Sequence, residues 1–117
     1  MNVGDYVRDK KGIIGRIEQK EYDKRYLEDF YLFKNTWCLK EYFIKSSPNI
    51  IDVIEVGDYV NGSRVIEINN EDKDIFNKYL IVDEVDYDDN NISYSNNDIK
   101  SIVTKEQFES VTYRIGE

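Results

Sequence analysis

The sequence predicts a mainly β protein made of two small barrel-like units in tandem, residues 1–55 and 56–117, each with a short helix or helical turn near its end. Three observations carry that prediction. The pentapeptide VGDYV stands at 3–7 and again at 56–60. The chain has no alanine and is rich in Ile, Val, Tyr and Phe, which removes the best helix former and favours strands. Several segments alternate apolar and polar residues with the two-residue period of a strand. Units of this length bury little surface alone, so the two are expected to pack together.

Taken in order, each VGDYV opens a strand and is followed by a turn and a second strand, RDKKGIIGRIEQ in the first unit and NGSRVIEINN in the second. Gly12 and Gly62 are read as the turn positions. Segments 26–34 and 37–45 are dense in aromatics and form the next strands, with Asn35-Thr36 as the hairpin connection. In the second unit Tyr79, Ile81, Asp83, Val85 and Tyr87 share one face of an extended segment, with Leu80 and Val82 opposite, and Ile92 and Tyr94 alternate with Ser93 and Ser95. Ile44-Lys45-Ser46 is echoed by Ile99-Lys100-Ser101 ahead of two helix-start signals. These are a capping serine before proline at Ser47-Pro48 and a capping box at Thr104–Gln107, predicting helical turns near 48–52 and 105–110.

Gly4-Asp5-Tyr6-Val7-Arg8 followed by Lys11-Gly12-Ile13-Ile14-Gly15-Arg16-Ile17 resembles the KOW motif of ribosomal and transcription-elongation proteins, over about 15 residues. The resemblance implies SH3-like small barrels, whose KOW members bind RNA or protein. Residues 47–62 and 98–110 resemble a family of small proteins of phages and prophages in low-GC Gram-positive bacteria. That resemblance brings no catalytic residue. It implies a setting, a phage gene acting inside a bacterial cell.

Composition bounds the chemistry. There is no histidine and one cysteine, so Ser-His-Asp catalysis, an internal disulfide and any His- or multi-Cys metal site are excluded. Cys38 has no histidine to act as its base and reads as a small buried hydrophobe. No phosphate-cradling glycine motif occurs, and neither a cofactor nor an enzymatic activity is expected. No run approaches a membrane span and the polar N-terminus lacks the apolar core of a signal peptide, so the expected location is the cytoplasm of the host cell. The net charge of −8 is uneven: residues 1–55 carry ten Lys/Arg against ten Asp/Glu, and 56–117 carry six against fourteen. A surface of that sign repels phosphate backbones, which argues against direct nucleic-acid binding.

Two surfaces are candidate contacts. Asp83, Glu84, Asp86, Asp88 and Asp89 run along one predicted hairpin, with Glu71, Asp72 and Asp74 in another acidic loop, and are read as a mimic of nucleic-acid phosphates. A calcium loop is the competing reading of the first run. Asp86, Asp88 and Asn90 sit at the first, third and fifth ligand positions, but Asn91 and Asn97 replace the required Gly and Glu. The second surface is aromatic. Tyr22, Tyr26, Phe30, Tyr31, Phe33, Trp37, Tyr42 and Phe43 crowd 22 residues, more rings than a small core holds, and Tyr26, Tyr31 and Trp37 are taken as partner contacts. The expected function is a non-enzymatic, phage-encoded inhibitor of a host factor, of the anti-defence (anti-CRISPR-like) kind, whose partner is a host protein that handles nucleic acid. A sponge for a nucleotide immune signal, a phage assembly module and a carboxylate-based hydrolase are the alternatives.

Overall fold

A computed structural model describes residues 1–70 and 78–111. The protein is mainly β, and the chain divides into two compact units, Met1–Val53 and Ile54–Glu117. Unit 1 contains β1 (Tyr6–Asp9), β2 (Ile14–Arg16), β3 (Gln19–Asp23), β4 (Glu28–Phe33), β5 (Thr36–Cys38) and β6 (Phe43–Ser47), followed by a 3-10 turn at Ile50–Val53. Unit 2 contains β7 (Tyr59–Val60), β8 (Ser63–Asn70), β9 (Lys78–Val85), β10 (Asn91–Ser95), β11 (Ile102–Val103) and α1 (Lys105–Val111).

The repeated pentapeptide folds the same way twice. Gly4 and Gly57 take φ of +90° and +99°, a region open to glycine at no steric cost. Gly4 N–H donates to Ile17 O at 2.8 Å and Gly57 N–H to Val65 O at 2.9 Å. Ile17 N–H returns to Asp5 O at 2.9 Å and Val65 N–H to Asp58 O at 2.8 Å. The Asp5 carboxylate accepts from Asn2 N–H at 2.9 Å, and that of Asp58 from Glu55 N–H at 2.8 Å. The next residues repeat as well: Tyr6 pairs with Arg16 and Tyr59 with Arg64, while Val7 and Val60 are fully buried. The second hairpin is shorter because Asn61-Gly62, with φ of +53° and +86°, closes it in two residues.

In unit 1 the antiparallel sheet β2-β1-β6 and the antiparallel sheet β3-β4-β5 enclose one core of Val7, Ile17, Tyr31, Phe33 and Cys38. The chain passes between them at consecutive residues: Ile17 N–H bonds Asp5 O in the first sheet, and Glu18 N–H bonds Leu32 O in the second. Gly15 permits the close packing beneath them, since a Cβ there would stand 2.7 Å from the Phe33 ring. Unit 2 is one antiparallel sheet in the order β10-β9-β8-β7-β11, with Leu80, Val82, Val65 and Val60 buried on its inner face. Its helix is started by the capping box: Gln107 N–H donates to Thr104 Oγ1 at 3.2 Å, and Thr104 N–H to Gln107 Oε1 at 3.0 Å.

Several expectations are corrected. The mainly β class stands, with the strands of unit 1 paired into two three-stranded sheets and those of unit 2 into one five-stranded sheet. The hairpin turn after β4 is Lys34-Asn35, both at positive φ, one residue before the expected Asn35-Thr36. Segment 37–45 is not one strand, because Tyr42 N–H bonds back to Leu39 O and winds Lys40–Tyr42 into a 3-10 turn between β5 and β6. The Ile-Lys-Ser echo is out of step: Ser46 pairs with Val7, but Ile102, not Ser101, pairs with Val60.

Candidate functional site

The acidic candidate is a projecting hairpin. β9 pairs with β8 up to Val82 and with β10 up to Val85, opposite Asn91, and from Asp83 to Asn91 every residue is exposed. Asp83 and Glu84 are neighbours on a strand and so leave opposite faces of it. Glu84 Oε2 accepts from the Ser63 hydroxyl of β8. At the tip, Asp86 Oδ1 accepts from Asp88 N–H at 2.9 Å and Asn90 N–H at 3.1 Å, which makes Asp86 the clamp of the loop. Asp89 sits at φ +60°, and Tyr87 stands fully clear of the protein. Asp83, Asp88 and Asp89 therefore carry the outward negative charge, while Glu84 and Asp86 are also structural. Among the described residues no group of three or more acids, cysteines or histidines is arranged to hold a metal. Glu71, Asp72 and Asp74 lie outside the described residues.

The aromatic candidates separate. Tyr31 faces the core and is 4% exposed, so it offers no contact surface; the alternation along β4 turns Tyr31 and Phe33 inward and Phe30 and Leu32 outward. Tyr26 is 62% exposed in the β3–β4 loop, with its ring edge-on to Phe30 at 6.0 Å. Trp37, 42% exposed, lies opposite Leu32 on that outward face. Arg25 above Tyr26 is held by Asp23 at 3.2 Å, and the bond keeps the Asp23 carboxyl below its usual range.

The same face opens a groove of about 570 Å³ that sequence reasoning did not find. Phe30, Trp37, Leu39 and Tyr42 line it, with Lys10 and Glu41 as its charged groups and Cys38 beneath. A smaller hollow of about 200 Å³ shares Phe30 and Trp37 and adds Glu21, Tyr22 and Asp23. Behind the groove lies Asp9, 1% exposed. Its Oδ1 accepts from Lys11 N–H at 2.8 Å and Ile13 N–H at 2.9 Å. The negative charge of Asp9 pushes the Tyr42 phenol pKa up, and burial followed by the same charge pushes the Cys38 thiol up. Cys38 is 7% exposed and its thiol donates to Thr36 O at 3.5 Å, a packed thiol and not a nucleophile. The signal for the groove was the strand β4, apolar on both faces, next to the 3-10 turn that brings Glu41 and Tyr42 round.

Comparison with protein-family models, curated proteins and solved structures finds no match to this chain. No helix among the described residues is long and apolar enough to cross a membrane.

Proposed function

We propose that the protein is a non-enzymatic binding protein whose β9–β10 arm occupies a basic, nucleic-acid-binding surface of a partner protein. The observation that supports this is the arm itself: a run of exposed residues from Asp83 to Asn91 carrying Asp83, Glu84, Asp86, Asp88 and Asp89 around a fully exposed Tyr87. Carboxylates carried on a β-ribbon offer a Lys/Arg groove the charge it normally meets on phosphates, and an exposed tyrosine adds an anchor. The acidic half of the chain steers such a partner in and repels nucleic acid itself.

The phage setting, a host factor as target and the anti-defence role rest on the resemblance of residues 47–62 and 98–110 to small phage proteins. A nucleotide sponge is the weaker reading, because the groove sets a single Lys10 against Glu41 and the buried Asp9, a poor field for phosphate. The test is competition. A protein retained by the immobilised chain after nuclease treatment should be released by added duplex DNA or RNA in proportion to its own affinity for that nucleic acid. Retention unaffected by excess nucleic acid sinks the mimicry.

A further inference from the structure

The arm leaves the groove of unit 1 without a role, and its chemistry differs from that of a phosphate mimic. Phe30 and Trp37 are two outward aromatics that both line two adjoining hollows. Carboxylates stand on both sides of the pair, Glu41 in the larger hollow and Glu21 in the smaller. Glu21 is placed there by register, directly across from Phe30 on the neighbouring strand. Beneath the groove, the buried Asp9 adds a carboxylate whose charge acts on Tyr42. Of the nearby cations, Lys10 lines the groove, and Arg25 is committed to Asp23. The two hollows are thus aromatic in surface, with Lys10 and Glu41 at the rim of the larger and Glu21 and Asp23 at the rim of the smaller.

A planar, weakly hydrated cation suits such a site better than any anion. A guanidinium stacks on an indole or phenyl face, donates in parallel to a carboxylate, and loses less solvation than an ammonium when it does so. We propose that this groove is a docking site for an arginine side chain presented by a partner protein, with Trp37 and Phe30 as the stacking faces and Glu41 or Glu21 as the pairing carboxylate. Trp37 lies on an open sheet edge, because β5 is the last strand of its sheet and ends at the 3-10 turn after three residues. The inference is independent of the arm, which belongs to the other unit.

Trp37 is the only tryptophan, so its fluorescence reports on the groove without a label. The full chain is titrated with acetyl-Gly-Arg-Gly-amide, with the citrulline peptide of the same shape and no charge, and with AMP. The expected result is a saturable change with the arginine peptide only. The Glu21→Gln/Glu41→Gln double variant should weaken it about tenfold or more, the loss of one charge-assisted pair. Lys10→Gln, which removes a like charge, should leave it unchanged or tighten it. All three positions are exposed, so thermal melting of the variants should match the parent. No response to the arginine peptide, an equal response to citrulline, a response to AMP that Lys10→Gln abolishes, or binding that survives the double variant each overturns the proposal. The Asp83→Asn/Asp88→Asn/Asp89→Asn variant should still bind the peptide, which separates this site from the arm.

Discussion

At the residue scale, Asp5 and Asp58 hold the same place in the repeat and differ in what depends on them. Asp58 is fully buried, accepting from Glu55 N–H with Oδ2 and from Lys105 N–H, at the first residue of α1, with Oδ1 at 3.0 Å. Asp5 is half-buried and accepts from Asn2 near the chain terminus. Asp58→Ala empties a buried site and strands two part-buried donors and should cost about 2 kcal/mol, whereas Asp5→Ala should cost about 1 kcal/mol or less, read from urea denaturation of the two variants. Equal losses would show that the helix contact adds nothing. Cys38 gives a second prediction. A thiol whose pKa is raised in the folded state contributes stability below its unfolded pKa of about 8.5, and that contribution fades as pH rises beyond it. Native protein at pH 8 should react with an aromatic disulfide reagent at least about a hundredfold more slowly than unfolded protein, as expected of a buried thiol. Fast labelling would mean that Cys38 is reachable.

Elements show what a single sequence makes legible. VGDYV was informative because its last four letters each have a local role, with glycine at a positive φ, aspartate as a cap, and tyrosine and valine on opposite faces of one strand. The capping box at Thr104–Gln107 was equally local and stands as read. What failed was register. The Ile-Lys-Ser echo is a match of letters one step out of phase with the pairing, since Ile102 faces Val60 where Ser46 faces Val7. The break at Lys40–Tyr42 has no Gly or Pro to announce it, and with the break went the groove, because Glu41 and Tyr42 reach Trp37 only through that turn. Tyr31 and Trp37 looked alike in composition and differ only in parity along paired strands. The arm allows a finer test than neutralising all its acids. Asp86→Ala removes the clamp on two backbone N–H groups and should cost about 1 kcal/mol of stability. Asp83→Asn/Asp88→Asn/Asp89→Asn should melt within about 0.5 kcal/mol of the parent. If the triple variant unfolds the protein, these acids are structural and the arm is not a free surface.

For the whole molecule, duplication of a small β unit followed by unequal charge is the simplest history of this chain. The first copy stayed neutral and gathered aromatics; the second took the entire net charge of −8. Binding through such a field carries a salt signature: the association rate should fall steeply as ionic strength rises, while dissociation changes little. An association rate insensitive to salt would place the contact on the neutral unit alone. The most direct measurement is a paired capture from a nuclease-treated lysate of a low-GC Gram-positive bacterium, with the parent chain on one column and the Asp83→Asn/Asp88→Asn/Asp89→Asn variant on the other. Selective retention of a nucleic-acid-binding protein by the parent, absent from the variant, is the predicted result. The same proteins on both columns, or none on either, would contradict a partner held by the acidic arm.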